Sequence, residues 1–225
     1  MKLTNQQIAQ IEETLVLNGL VYQDVKLELL DHIASEIEEK ISNEEISFEV
    51  IFKEVFEKWK PELRPSSSSW VGLMNSVPKI VLDKWVSITK RQQLKVLLII
   101  IFPALIFTLF FKTNFEKYDY TIFTQFLKTI SLLTSFLIVL AKIMIWNSKI
   151  KTTFGFIFNK STPVYMFFLL FYGLGVLPMK FTIWDFGTRL FFVSMLSFLF
   201  LNSIFCLRLA YKHFQFEKKL SFSKS

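Results

Sequence analysis

Glu28, His32 and Glu36 stand at i, i+4 and i+8 in the stretch LELLDHIASEIEEKI, so a helix would carry all three on one face. A histidine between two carboxylates can ligate a cation or pass a proton. A metal site would need further ligands from a second element and a dry pocket. The carboxylate-bundle metal motif also pairs Glu with His at i, i+3 rather than i, i+4. Spacing therefore favours a solvated, acidic helix face. Glu28, His32, Glu36 and Glu39 are its candidate partner-docking residues, with a basic surface as the natural complement and His32 as a weak pH sensor.

Few other residues offer chemistry. The chain has two histidines and one cysteine, Cys206, which excludes an internal disulfide and a multi-cysteine zinc site. No phosphate-binding loop, nucleophile elbow, HExxH or dinucleotide fingerprint occurs. The expectation is a protein that is not an enzyme and has no cofactor, catalytic residue or metal. A lipid-directed activity is a third alternative, and Asp185 with Arg189 would be its only candidates.

These residues sit in an apolar chain. Of 225 residues, 52% are hydrophobic and 27 are Phe, and the mean hydropathy is +0.41, above that of an ordinary soluble domain. Four runs approach the length of about 20 residues needed to cross a bilayer: 94–111, 125–146, 163–179 and 190–207. The third is the shortest and holds Gly173 and Gly175, so a re-entrant course is its alternative. Pro103 falls inside the first run, where a kink is expected.

Basic residues set the expected orientation. Fourteen lie on one side: Lys79, Lys84, Lys90, Arg91, Lys95, Lys142, Lys149, Lys151, Lys160, Arg208, Lys212, Lys218, Lys219 and Lys224. Five lie on the other: Lys112, Lys117, Lys128, Lys180 and Arg189. The excess marks the cytoplasmic side, so both termini are expected there, in a multi-pass protein of the inner membrane. The polar N-terminus shows no secretory signal. Tyr118, Tyr120, Trp146, Trp184 and Tyr211 fall where interfacial aromatic rings belong. The net charge of +7 hides an acidic segment, residues 1–60, with 6 Lys/Arg against 13 Asp/Glu. The positive remainder flanks apolar runs, so direct nucleic-acid binding is not expected.

Residues 1–60 read as three short helices. Thr4 with Gln7 forms a capping box, and Gly19 stops the first helix. Asp24 caps the second, whose expected stripe is Leu27, Leu30, Ala34, Ile37 and Ile41. Ser47 caps the third, with Phe48, Ile51, Phe52, Val55, Phe56 and Trp59 on its buried face and Pro61 at its end. The short leading helix, LELLDHIASEIEE and SFEVIFKEVFEKW together resemble the HAAS-type helical signalling module of bacterial multi-span membrane proteins. The chain departs from that family where the third helix closes on KWKPELRPSSSS instead of a Gly-Pro-type turn. The resemblance implies a sensing or regulatory role, often genetically paired with a PadR-like regulator, and supplies no catalytic residues.

A Ser/Pro linker, 61–76, leads to an amphipathic juxtamembrane helix, 77–93. That helix either lies on the inner leaflet or extends the first span. On the leaflet, Trp85, Lys84, Lys90 and Arg91 would be its membrane-surface anchors, and the acidic module could latch onto its basic residues. Within the transmembrane domain, 94–210, Ser131, Ser135, Ser194, Ser197 and Asn202 are candidate helix-packing residues. Residues 211–225 form a basic cytoplasmic tail. The expected fold is all-α: a polytopic membrane protein with four transmembrane helices and a small cytoplasmic three-helix N-terminal module. Its partners would be the lipid bilayer and a cytosolic regulator or membrane complex, and a homo-oligomer is left open. The alternative function is a small transporter or channel, or an accessory subunit of one.

Overall fold

The computed structural model describes residues 2–44, 46–111, 121–177 and 185–223. Several expectations fall outside them: Lys112, Lys117, Lys180 and Lys224 of the charge count, the rings Tyr118, Tyr120 and Trp184, and the end of the third apolar run at 178–179. The described residues form seven helices and one two-stranded ribbon: α1 (Asn5–Leu17), α2 (Gln23–Glu44), α3 (Phe48–Leu63), β1 (Pro65–Ser66), β2 (Val77–Pro78), α4 (Lys79–Phe111), α5 (Thr121–Asn147), α6 (Thr153–Gly173) and α7 (Phe186–Ser223). The chain divides into two compact units. One is Met1–Lys90 with Lys149–Thr153; the other is Arg91–Ser148 with Phe154–Ser225.

In the first unit, α1 opens on the Thr4–Gln7 capping box. Gly19 follows the helix at φ 85°, a left-handed turn that favours glycine. The buried stripe of α2 is Val25, Leu29, Ile33 and Ile37; of the expected set Ile37 belongs to it, Leu30, Ala34 and Ile41 are half-buried and Leu27 is exposed. The strip at exact i+4 spacing holds the β-branched and aliphatic residues that pack between α1 and α3, and Leu27 lies two residues off it. Ile11 and Leu15 of α1 and Ile51 and Val55 of α3 complete this core; each such side chain contributes about 1.5–3 kcal/mol by burial. Phe48, Phe52, Phe56 and Trp59 are only half-buried. Ser47 takes the N-cap position of α3 without a side-chain bond, and Pro61 lies inside the helix rather than ending it. There the ring removes one backbone donor, and the helix ends two residues later at Leu63.

The segment read as a linker is built. Pro65–Ser66 pairs antiparallel with Val77–Pro78, and the Lys79 N–H donates to the Arg64 carbonyl at 3.0 Å. From Lys79 a single helix of 33 residues runs to Phe111 with Pro103 inside it, so the residues expected as a separate juxtamembrane helix are the first turns of α4.

Among the described residues four helices are long and apolar enough to cross a membrane: Lys79–Leu109, Thr121–Asn147, Thr153–Gly173 and Phe186–Phe222. The third starts ten residues before the apolar run and has 21 residues, with Pro163 inside. Asn159 and Lys160 lower the hydropathy of that start, which shortened the run in the sequence. α7 continues to Ser223 through the expected tail, because Lys, Gln, Glu and Leu there are good helix formers.

In the second unit α5 buries Ser131, Ser135, Ile138, Ala141 and Ile145, a seam with spacings of 4, 3, 3 and 4. α5 packs on α7. Leu169 and Tyr172 of α6 join Leu196 and Leu199 of α7 in a second cluster. Gly173 permits a close approach: a Cβ there would lie 2.6 Å from Leu132 Cγ and 3.1 Å from the Lys128 carbonyl oxygen. Large apolar side chains such as Leu98, Phe102, Leu105, Leu133 and Phe136 face outward, as spans in contact with lipid require.

Candidate functional site: a buried aspartate clasp

The first intrahelical bond of α2 runs from the Lys26 N–H to the Tyr22 carbonyl, 2.8 Å. Asp24 is therefore inside the first turn and does not cap its own helix. Its carboxylate serves another segment. Oδ1 accepts the Thr153 N–H at 2.7 Å and the Thr153 hydroxyl at 3.1 Å. Oδ2 accepts from Lys84 Nζ at 3.3 Å. Beside it the Gln23 N–H donates to the Lys151 carbonyl at 2.8 Å. The Asp24 side chain is 5% exposed, so these donors replace its water. Thr153 is the first residue of α6, where the unpaired N–H groups of a helix start favour an acid.

Charge surrounds the clasp. Lys84 also lies 3.7 Å from Glu28, and Lys26 bonds Glu12 at 2.5 Å. Lys79 of α4 bonds Glu62 of α3 at 2.6 Å. Burial, then the charge of Asp24, pushes the Tyr22 phenol above its ordinary value, so it stays neutral beside the clasp. The acidic module thus meets the first turns of α4 through Lys79 and Lys84; the latch is expected on a separate helix lying on the leaflet, whereas these lysines belong to the continuous α4.

The expected docking face is partly engaged within the module. Glu36 accepts from Lys58 at 2.7 Å and from the Trp59 indole at 3.2 Å. Burial alone would raise its pKa, but these bonds and the Lys58 charge prevail and lower it. His32 and Glu39 are exposed and line an open groove of about 580 Å³ with Ser35, Glu36, Lys40, Asn43 and Lys58. Lys40 bonds Glu54 at 2.6 Å. The face is mixed in charge, and Glu28 and Glu36 turn to different partners. Among the described residues no three His, Cys, Asp or Glu side chains converge as an ion would require.

Of the expected membrane-surface anchors, Trp85 is 3% exposed and packs inside the first unit, where no indole face remains for lipid. Lys84 is held by Asp24. Lys90 and Arg91 are exposed. Asp185 accepts from the Thr188 N–H at 3.2 Å and from the Thr188 hydroxyl; these bonds keep its carboxyl below the usual range. It thus closes the first turn of α7.

Of the expected packing residues, Ser131 and Ser135 are buried in the α5 seam. Their hydroxyls donate to the carbonyls of Leu127 and Ser131, one turn back, at 2.7 and 2.9 Å; they therefore act by small size. Ser194 and Ser197 are half-buried. Asn202 is fully buried and its Oδ1 accepts from the amides of Gln92 and Gln93 at 2.8 and 3.0 Å. Its own amide donates to the Phe198 carbonyl at 2.9 Å. This knot ties α4 to α7.

Sequence reasoning did not single out Thr153, Gln92 or Gln93. A Thr-Thr pair before an apolar helical run is a helix-start signal, and two adjacent glutamines at the entrance of a span signal interhelical bonding. Neither reveals the partner.

The helices define an all-α membrane protein with a three-helix N-terminal region. Comparison of the chain with family models, curated proteins and solved structures returns no match.

Proposed function

We propose that this is a non-enzymatic, multi-pass protein of the bacterial inner membrane that relays or regulates. Its N-terminal module recruits a cytosolic regulator or a membrane complex. The observation that carries the reading is the Asp24 clasp. One buried carboxylate is shared by Lys84, near the start of α4, and Thr153, at the start of α6. A partner that pulls on α2 therefore acts on the bases of two apolar helices. The link is polar and can break and re-form, as a switch needs. The likeness of residues 1–60 to HAAS-type modules agrees with this role.

The same bonds support the orientation. That the connection between the second and third spans belongs to the N-terminal unit supports reading both on one face of the membrane, and the excess of Lys and Arg supports taking that face as the cytoplasmic one.

The test is crosslinking in native membranes of the full chain and of its full-length Asp24→Ala form, with bound proteins identified by mass spectrometry. A regulator or complex whose capture changes several-fold on opening the clasp is the expected result. Identical partner sets at identical yields would overturn the reading.

A further inference from the structure

The strand pair β1–β2 closes a ten-residue loop, SSSWVGLMNS at 67–76, that displays apolar side chains rather than hiding them. Trp70 is 54% exposed, Leu73 71% and Met74 100%. A loop of this length in water would ordinarily keep such groups covered. It is not slack. The Val71 N–H donates to the Ser68 carbonyl at 3.2 Å, and the Asn75 N–H to the Gly72 carbonyl at 3.0 Å. The Asn75 side-chain amide donates to the Val71 carbonyl at 2.7 Å. Gly72, at φ 92°, makes the turn that sends Leu73 and Met74 outward. These bonds hold the tip open with its apolar residues on the outside.

The occupant follows from what stands beside the tip. Lys90 Nζ lies 5.1 Å from the centre of the Trp70 ring, within cation–π range. Lys90 is followed by Arg91, and the apolar run of α4 begins at Leu94, about 6 Å further along the helix at 1.5 Å per residue. An indole under a lysine that lies one helical turn before a membrane span, in a loop with two flexible apolar side chains, matches the composition of a bilayer interface. There rings sit at headgroup level, cations meet phosphates and aliphatic tips enter the acyl boundary. We propose that the loop at residues 67–76 is a lipid-binding anchor. Trp70, Leu73 and Met74 insert into the headgroup region of the adjoining leaflet, and Lys90 binds its anionic phosphates. This assigns the surface-anchoring role to Trp70 in place of the buried Trp85, and it is independent of the regulatory reading.

The test uses the full chain in nanodiscs containing anionic phosphatidylglycerol, with a nitroxide on Met74→Cys. The substituted side chain is fully exposed, so the fold is not at risk, and Cys206, at 0% exposure, stays unlabelled in the parent chain. Collision rates with oxygen, which enters bilayers, and with a nickel chelate, which stays in water, are compared with those of a label on Glu39→Cys in the same unit. A several-fold higher oxygen-to-nickel ratio at position 74 than at 39 is expected, falling toward the control value when Trp70→Ala and Leu73→Ser are added. Equal ratios in the parent would put the loop in water. Low rates with both reagents would mean that protein covers it. Either result overturns the proposal.

Discussion

In the first unit Lys84 lies 3.3 Å from an aspartate that is 5% exposed, and Lys26 lies 2.5 Å from Glu12. In the second, the α5 seam is made of Ser131, Ser135 and Ala141 among isoleucines, and α6 meets α5 at a glycine. Both regions are helix on helix, but their joints differ in kind. Water at the edge of the first unit can solvate a charge whenever a pair opens, so ion pairs there are affordable and reversible. Lipid cannot do this, so the spans join by small residues and by amides that are already mutually bonded. On the proposed reading, a response to partner, salt or pH would act through the ion pairs of the first unit rather than through the seams of the second.

The sharpest way to break this contrast is to damage each unit by its own means. Ile33→Ala removes a fully buried side chain of α2 and should cost about 2–5 kcal/mol. Hydrogen exchange should quicken across α1–α3 and stay unchanged in α5. Gly173→Ala should do the reverse: with Leu132 Cγ 2.6 Å from the new methyl group, it should cost about 1–3 kcal/mol, read as a lower thermal midpoint in detergent. Asp24→Ala strips the Thr153 N–H of its acceptor and should cost about 1–2 kcal/mol. Asp24→Asn, which keeps an oxygen for Thr153 but loses the charge facing Lys84, should recover part of it.

A smaller effect is set by pH. The folded pKa of Glu36 lies below its ordinary value, so its contribution is fully present above the unfolded carboxylate pKa and is lost as pH falls through the lower folded value. Glu36→Gln should flatten that part of an acid unfolding curve and leave the neutral region's pH dependence unchanged. Smallest of all, Ser131→Ala should shift stability by less than about 0.5 kcal/mol, because the hydroxyl bonds its own helix; a large loss would show that the seam depends on polarity.

Much of the architecture was legible. Hydropathy located four spans because nothing else keeps 20 apolar residues together, and the Thr4–Gln7 box and Gly19 marked α1 by local chemistry alone. The ends were less legible where helices run past their apolar stretch, as α6 does through Asn159 and Lys160 and α7 does through its lysines. Periodicity misjudged α2, since Leu27 and Leu30 are as apolar as Leu29 and only the contacts with α1 and α3 decide among them. The clasp was hidden for a stronger reason. Asp24 and Thr153 are 129 positions apart, and an aspartate at a helix start reads locally as that helix's own cap. Likewise Asn202 was visible as a polar residue in a span, but its partners Gln92 and Gln93 lie 110 and 109 positions away on α4.

The most direct test of the clasp is hydrogen exchange of the full chain in nanodiscs, with wild type and Asp24→Ala compared at residues 149–153 and 79–90. If Asp24 ties these segments together, both should exchange several-fold faster in the variant while α5 keeps its protection. Unchanged rates at 149–153 would show that the bonds of Asp24 do not hold that connection, and the module would then have no grip on the spans through it.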